Sequence, residues 1–278
     1  MTNPRTVLIT GCSSGIGRAT ALRLARGDWT VYATARRLES IADLADGGCR
    51  VLELDVTDDA SMRRAVGVAG PLDALVNNAG YSLSGAVEAV ALEEARRQLE
   101  TNVFGLVRLT QLVLPGMRER GRGRIVNVGS MGGRLTFPGG GWYHASKHAL
   151  EALTDALRFE VAGFGIDVVL VQPGLIRTGF SDAAVGGIAE RAGDGPYAAF
   201  DAAVASVTAG AYAGGIARRL GGDGDDVARA IERALTARRP RTRYRVTASA
   251  RLFLTLRRLL PDRAWDALVA RTYPQPRP

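Results

Sequence analysis

The chain has 278 residues, of which 46% are hydrophobic and 23% are charged, so it can bury one large core and lacks the composition of a disordered or fibrous protein. Two cysteines are too few for a disulfide framework. No apolar run is long enough to cross a bilayer, and the N-terminus shows no leader pattern. We therefore expect a cytoplasmic protein with reduced thiols. The net charge of +8 arises in residues 218–278, which hold 15 Arg against 6 Asp and Glu, and we interpret this excess as a solvated helix surface and expect no nucleic-acid partner.

Short apolar runs alternate with longer amphipathic stretches along most of the chain. The predicted strands are, in chain order, 6–10, 30–34, 50–54, 72–76, 124–128, 167–171 and 243–247. The predicted helices are 15–26, 38–45, 60–68, 93–117, 142–163, 225–237, 252–260 and 264–270. Nearly continuous apolar strands that alternate with helices are typical of a parallel sheet covered on both faces. The sequence therefore predicts a single three-layer α/β/α domain over residues 1–278, with a doubly wound, Rossmann-like parallel sheet.

Two segments fall outside this alternation. Residues 178–222 are rich in Ala and Gly and carry little charge, which favours a substrate lid of short helices over the active site. Residues 248–278 are a predicted helical extension, in which several leucines stand beside arginines. That pattern fits a helix at a membrane surface, through residues 251–260, or a helix packed on the protein itself or on a partner subunit. Of the two interpretations, we favour packing.

A glycine-rich turn joins the first predicted strand to the first predicted helix. From Gly11 to Gly17 it reads GCSSGIG, so its glycines are spaced as G-x-x-x-G-x-G. Glycine lets the backbone turn sharply and approach a pyrophosphate closely, and the N-terminus of the next helix offers free N–H groups to the phosphates. Because it lies between a strand and a helix of a βαβ unit, the turn predicts a dinucleotide site.

The end of the second predicted strand indicates which dinucleotide is bound. An acidic residue there would accept hydrogen bonds from the ribose hydroxyls of NAD, but this strand ends in Thr34, Ala35, Arg36 and Arg37. A guanidinium group can bind the 2′-phosphate of NADP through charge-assisted hydrogen bonds. We therefore expect NADP(H), with Arg36 as the main contact and Arg37 as the second. If both arginines are solvated loop residues, NAD(H) is the alternative.

One predicted helix carries Tyr143 and Lys147, which are four residues apart and so lie on one face. Lys147 is the only lysine among 36 basic residues. A phenol ordinarily has a pKa near 10, and a neighbouring ammonium or oxidised nicotinamide lowers that pKa towards the working pH. Ser130 follows the fifth predicted strand and precedes the tyrosine by 13 residues, across a glycine-rich loop. These three side chains are candidates for acid–base chemistry on a carbonyl or alcohol.

Taken together, these motifs resemble the short-chain dehydrogenase/reductase family over about residues 5–247. The T-G-x-x-x-G-x-G turn, an N-N-A-G motif, the Y-x-x-x-K pair and a P-G turn occur in the order of that family. Some members have a basic residue before the second glycine of the turn, where this chain has Ser14. The resemblance implies that the cofactor is bound by Gly11, Ser13, Ser14, Gly15, Ile16, Gly17, Arg36, Arg37, Asp55, Val56, Asn78, Ala79, Gly80, Tyr143, Lys147, Pro173, Gly174, Ile176 and Thr178.

The resemblance also implies catalytic roles for four residues. Tyr143 would be the general acid and base, and Ser130 would hydrogen-bond the substrate oxygen through the transition state. Lys147 would hold the ribose of the nicotinamide half and lower the pKa of the tyrosine. Asn102 would kink the long helix 93–117 and position a water in a proton relay to Lys147.

These features predict an NADP(H)-dependent oxidoreductase that transfers a hydride between nicotinamide and a carbonyl or secondary alcohol. The lid and the 31 residues beyond Thr247 favour a hydroxysteroid or retinol dehydrogenase-like branch and a bulky, apolar substrate. An acyl-carrier-type 3-ketoacyl reductase and a non-catalytic NADP(H)-binding regulatory protein are the alternatives. The helices 93–117 and 142–163, which form the dimer surface in the family, predict a homodimer or homotetramer. His144 and His148 have no third ligand in the pattern, so we expect no metal.

Overall fold

The computed structural model of the protein describes residues 4–177, 195–213 and 219–276. The strands of these residues are β1 (Arg5–Ile9), β2 (Trp29–Ala35), β3 (Arg50–Glu53), β4 (Ala74–Asn77), β5 (Gly123–Val128), β6 (Ile166–Gln172), β7 (Ile176–Arg177), β8 (Gly222–Asp223) and β9 (Arg243–Arg245). Seven of them form one parallel sheet in the order β3-β2-β1-β4-β5-β6-β9. The predicted doubly wound α/β sheet is therefore confirmed.

Helices cover both faces of this sheet. They are α1 (Gly15–Ala25), α2 (Asp59–Ala69), α3 (Leu92–Leu99), α4 (Gly105–Glu119), α5 (Gly141–Val161), α6 (Ala198–Ala213), α7 (Gly224–Thr236), α8 (Ala248–Leu259) and α9 (Asp262–Ala270). On one face, α1 and α7 bury Leu24 and Ile231 against the strands. On the other, α2 and α4 bury Met62 and Leu109. The strands are buried on both sides, which explains their continuous apolar runs.

Helix ends are fixed by local side-chain chemistry. The Asp58 carboxylate accepts a hydrogen bond from the backbone N–H of Ala60 at 2.9 Å and so caps α2. At the start of α7, Asp223 and Asp226 form a reciprocal capping box. Thr247 caps α8 by accepting from the N–H of Ala250 at 3.2 Å.

Two predicted helices differ from the structure. The predicted helix 93–117 is interrupted between α3 and α4 by a π-helical turn, Glu100–Phe104. Thr101 and Asn102 in this turn are weak helix formers whose side chains bond to backbone groups, which favours a departure from the regular helix. The predicted helix 38–45 is a 3₁₀ segment, Leu38–Leu44.

The C-terminal extension packs on the body of the protein. Helices α8 and α9 bury Leu254 and Trp265 in a cluster with Met131 and Leu135, which follow β5. Leu252 and Leu259 of α8 stay exposed, at 44% and 72% of their residue surface. Among the described residues, no helix combines the length and the apolarity that a membrane span requires.

Candidate active site

The strand order reverses between β1 and β4, and this point lies beside the predicted dinucleotide turn. In open parallel sheets, ligands bind outside the carboxyl ends of the strands at such a reversal. The carboxyl ends of β1, β4 and β5 carry the glycine turn, Asn78 and Ser130, respectively. The topology thus brings together motifs that are as far as 119 residues apart in the sequence.

The glycine turn has the geometry that a pyrophosphate needs. Gly11 and Gly15 have φ values of +72° and +55°, which favour glycine. Ser14 is the N-cap of α1 but its side chain makes no capping hydrogen bond, and the first turn of α1 has no acidic residue. The N–H groups at this helix end are therefore available to an anion, and the turn fits the phosphates of a dinucleotide.

The Asn-Asn-Ala-Gly motif holds this turn in place. The Asn78 side-chain amide donates to the carbonyl oxygens of Thr10 and Gly11, at 2.9 and 3.1 Å. The Thr10 hydroxyl accepts from the backbone N–H groups of Asn78 and Ala79, at 3.0 and 2.9 Å. A Cβ on Gly17 would lie within 3 Å of both the Gly11 carbonyl and the Asn78 amide. The turn, α1 and the end of β4 are thus packed without room for another methyl group.

We expect Gly17→Ala to disrupt this packing. The added methyl group must displace backbone, so the free energy of unfolding should fall by about 1–3 kcal/mol and affinity for NADPH should fall with it, as measured by denaturant unfolding and fluorescence titration. Gly67→Ala is the matched control, because Gly67 is also helical and has nothing within 4 Å of the added Cβ. It should stabilise the protein by up to about 1 kcal/mol. Equal effects of the two changes would contradict the proposed packing.

The structure also locates four predicted cofactor-binding residues that follow β2 and β3. Arg36 and Arg37 directly follow β2, and both are exposed. Asp55 is half-buried, and its carboxylate accepts from the N–H and hydroxyl of Thr57, at 2.8 and 2.7 Å. Val56 is buried. The carboxylate of Asp55 therefore stabilises a local turn, beside any contact that it makes with a nucleotide.

The predicted catalytic side chains lie at the end of β5 and on α5. The Lys147 ammonium donates to the Val128 carbonyl at 2.9 Å and lies 5.9 Å from the centroid of the Tyr143 ring. Ser130 accepts from the N–H of Gly132 at 3.0 Å, so its own hydroxyl hydrogen remains to be donated. Lys147 is 7% exposed, and this one hydrogen bond leaves two ammonium hydrogens for other acceptors. A buried, partly satisfied ammonium fits ribose hydroxyls.

We expect the burial of Lys147 to give the protein a distinctive pH dependence. Burial lowers the pKa of Lys147 from 10.5 to about 8. Between pH 8 and 10.5 the unfolded chain binds a proton at this residue that the folded protein has lost, so stability rises with pH there. At about 1.4 kcal/mol per pH unit, the free energy of unfolding of the wild type relative to Lys147→Met should rise by about 3 kcal/mol. Parallel pH curves for the two proteins, in denaturant titrations without cofactor, would rule this out.

Asn102 lies in the π-helical turn and contacts the loop after β4. Its side-chain oxygen accepts from the N–H of Tyr81 at 3.1 Å, and its amide donates to the Tyr81 carbonyl and the Ser146 hydroxyl at 2.9 and 3.1 Å. A Cβ on Gly80 would lie 3.0 Å from Asn102 Oδ1 and 4.0 Å from the Lys147 ammonium. Asn102, Gly80 and Lys147 therefore meet at one place beneath the predicted nicotinamide site.

The predicted cofactor-binding residues between 173 and 178 follow β6. The Pro173 carbonyl accepts from the N–H of Met131 at 2.8 Å, which joins this segment to the loop after Ser130. Gly174 packs against Thr247 and Ser249 so closely that a Cβ would overlap both hydroxyls. Ile176 lies in β7, which pairs with β8 in a small second sheet that the sequence did not predict. Thr178 lies outside the described residues, as does about half of the predicted lid, whose described part contains α6.

Two positioning groups on α5 were missed. Glu151 is 4% exposed, and its carboxylate accepts from Gln172 of β6, Arg134 of the loop after β5, and Arg243 of β9. It thereby ties α5 to the sheet and to the serine loop, which is the loop between Ser130 and Tyr143. The signal in the sequence was its spacing, because positions 143, 147 and 151 share one helix face.

His144 is the second missed group. Its Nε2 accepts from the N–H of Phe137 at 3.2 Å, so its Nδ1 donates to the Gly132 carbonyl at 3.0 Å. Burial lowers the pKa of His144, which favours the neutral ring that these bonds require. His148 Nδ1 lies 2.9 Å from the His144 carbonyl. Among the described residues, no three His, Cys, Asp or Glu side chains form a metal-binding group.

The reversal of strand order, the glycine turn and the buried lysine beside a tyrosine define a class of protein, the dinucleotide-dependent oxidoreductases. A family model described as short chain dehydrogenase matches residues 5–187. The chain is 34% identical to the uncharacterized oxidoreductase YusZ of Bacillus subtilis, across 96% of this chain and 98% of that protein. The protein therefore belongs to the short-chain dehydrogenase/reductase family.

Other similar proteins have more specific descriptions. The chain is 45% identical to a 3-ketodihydrosphingosine reductase of Bacteroides thetaiotaomicron over 184 residues, which are 64% of this chain and 66% of that protein. A serine dehydrogenase complexed with NADP+ is 28% identical, with a TM-score of 0.73, and the match covers 87% of this chain and 94% of that one. A family member from Burkholderia phymatum in complex with NAD is 25% identical, with a TM-score of 0.76 and full coverage of both chains.

Proposed function

We propose that this protein is an NADP(H)-dependent reductase or dehydrogenase of a bulky, apolar carbonyl compound or secondary alcohol. The observation that carries the proposal is the buried Lys147 ammonium beside the Tyr143 ring, at the end of a sheet whose glycine turn fits a dinucleotide. The bound nicotinamide would supply or accept the hydride at the substrate carbon. The non-catalytic alternative gains no support, because Ser130, Tyr143 and Lys147 are all present.

The side chains of the protein would handle the proton and the substrate oxygen. In the reductive direction, the Tyr143 hydroxyl would donate its proton to that oxygen while the Ser130 hydroxyl hydrogen-bonds it. Lys147 would hold the ribose hydroxyls with its two remaining ammonium hydrogens. The Asn102 side chain already forms hydrogen bonds with Tyr81 and Ser146. The backbone of the π-helical turn, and not the Asn102 amide, would therefore hold the relay water.

The exposed arginines after β2 support the choice of NADP(H). In the described part of the chain, no carboxylate forms an ion pair with Arg36 or Arg37, whereas Arg18, on α1, is paired with Asp43. An unpaired guanidinium can bind a phosphate without first losing a partner. Proteins of similar structure bind NADP+ or NAD, so the preference rests on these two residues.

The surroundings of the site support the apolar substrate. Ala86, Phe200 and Val204 form a buried cluster beside the loop that leads into α5. A relative described as a 3-ketodihydrosphingosine reductase and one described as a 17-beta-hydroxysteroid dehydrogenase of mouse have names that denote bulky apolar molecules. The residues alone do not favour an acyl-carrier substrate.

We further propose that the protein forms a homo-oligomer and that it functions in the cytoplasm, which is a reducing compartment. Phe104, at the start of α4, and Phe159, on α5, are 58% and 88% exposed. Both residues lie in the segments 93–117 and 142–163, which form the dimer surface in the family, and exposed apolar surface there supports the proposed interface. Cys12 and Cys49 are free and buried.

A panel of ketones and alcohols, assayed with NADPH and with NADH, tests the proposed function. We expect reduction of apolar ketones with NADPH at a higher kcat/KM than with NADH. Absence of turnover with every ketone and both cofactors, in a protein that binds NADPH, would favour the non-catalytic alternative.

A further inference from the structure

Phe137 stands at the centre of a group of aromatic rings next to the catalytic tyrosine. It lies in the loop between Ser130 and Tyr143, and its backbone N–H donates to His144 Nε2 at 3.2 Å. The ring of His144 lies 5.6 Å from the ring of Tyr143 and 6.1 Å from that of Phe137, between centroids. Phe137 is thus one ring away from the predicted proton donor, and it is only half-buried.

Three rings of the C-terminal extension contact Phe137. The centroids of Phe253, Trp265 and Tyr273 lie 5.9, 6.0 and 6.2 Å from it. Tyr273 is the last of these in the chain, and its ring is stacked on Phe137 at an interplanar angle of 28°. The tail therefore returns, through Tyr273, to the loop between Ser130 and Tyr143.

The segments around the entrance to α5 meet at the same place. A Cβ on Gly139 would lie within 3 Å of Val204 on α6, and a Cβ on Gly141 would lie 2.7 Å from Val87. The N–H of Gly85 donates to the Gly139 carbonyl at 2.7 Å. These contacts place α6 and the loop after β4 within van der Waals distance of the residues just before Tyr143.

Tyr273 joins these segments to the tail. It packs against the cluster of Ala86, Phe200 and Val204, which belong to the loop after β4 and to α6. The same ring is stacked on Phe137 of the serine loop. Three segments that adjoin the catalytic tyrosine thus converge on one side chain, which is half-buried and keeps accessible surface.

We propose that Tyr273 and Phe137 form an apolar wall of the substrate site, and that this wall selects substrates with an apolar ring body beside the reacting carbon. The inference rests on the proposed function and adds a role for the C-terminal extension in specificity. The rings of Phe137 and Tyr273, which are inclined by 28° to each other, together offer apolar surface that the flat body of a ring ketone can contact over a large area. A short alkyl ketone would not reach it.

The test compares three ketones of increasing ring size with NADPH: butanone, cyclohexanone and 2-decalone. For the wild type we expect kcat/KM to rise along the series. Tyr273→Ala should lower kcat/KM for 2-decalone by about tenfold and change that for butanone by less than about twofold. Tyr273→Phe, which keeps the ring, should behave as the wild type does. Arg271→Ala is the control, since Arg271 is exposed in the same tail.

The outcomes separate this inference from the proposed function. If the wild type reduces the ketones and Tyr273→Ala leaves the ratio of kcat/KM for 2-decalone to that for butanone unchanged, the proposed wall is wrong and the proposed oxidoreductase activity stands. If Arg271→Ala has the same effect as Tyr273→Ala, the tail acts through general stability and the wall is again wrong. If the wild type turns over none of the ketones with either cofactor, both proposals fall.

Discussion

Tyr143→Phe is expected to lower kcat for carbonyl reduction by about 10²–10⁴-fold, the usual contribution of a positioned general acid. The change removes one hydroxyl group and leaves the ring, whose contact with His144 should keep the loop and α5 in place. NADPH affinity and thermal unfolding should therefore stay close to the wild-type values. Steady-state kinetics with the best ketone of the panel, together with a fluorescence titration of NADPH, measure both quantities.

Tyr244→Phe is the matched control for this variant. Tyr244 is on β9, and among the described residues its hydroxyl accepts one long hydrogen bond, of 3.3 Å, from the N–H of Arg241. Removal of this hydroxyl should leave kcat unchanged. If Tyr143→Phe keeps wild-type turnover while Tyr143→Ala does not, the ring has a structural role and the proton comes from another group.

Arg36→Ala is expected to raise the KM for NADPH by about 10–100-fold, because a hydrogen bond to a charged group contributes about 1.5–3 kcal/mol. The KM for NADH should change little, since NADH has no 2′-phosphate. Because Arg36 is exposed, the NADPH preference of the wild type should also weaken as salt screens the guanidinium. Arg37→Ala should also raise the KM for NADPH, but by a smaller factor.

The control for the arginine is Arg26→Ala. Arg26 is also exposed, but it is the C-cap of α1, at the opposite end from the phosphates. Arg26→Ala should therefore leave the KM for NADPH and the KM for NADH unchanged. Equal losses with NADPH and NADH in Arg36→Ala, or a wild type that prefers NADH, would overturn the assignment of the 2′-phosphate site.

The sheet could be predicted from the sequence because each of its main strands is recognisable from a short stretch of residues. Strands such as β2 and β6 are continuous apolar runs, and the glycine turn between β1 and α1 is a short motif with its own geometry. The family order of the motifs then located Ser130, Tyr143 and Lys147, and the structure places the two α5 residues on one face, with Ser130 at the end of β5. Their catalytic roles stay predictions.

The rest depends on contacts between distant parts of the chain. No local pattern shows that Glu151 would meet Arg243, or that Tyr273 would stack on Phe137, which is 136 residues earlier. The small β7–β8 sheet pairs two-residue segments, which are too short to give a periodic signal. The family resemblance predicted a kink at Asn102, but the apolar pattern of 93–117 continues through this region and does not show that the irregularity is a π-helical turn.

That turn ties the function of this helix to its number of residues. A regular helix advances about 100° per residue, and the π-helical turn holds one residue more than a regular turn does. Deletion of a single residue between 100 and 104 would restore a regular turn and leave α3 and α4 in nearly the same relative rotation, so Ala95 and Gln98 would stay buried. The deletion would nevertheless remove the widened backbone around Asn102, which is the proposed site of the relay water. Relatives of this protein should therefore tolerate changes of side chain in this turn more readily than any change in its number of residues.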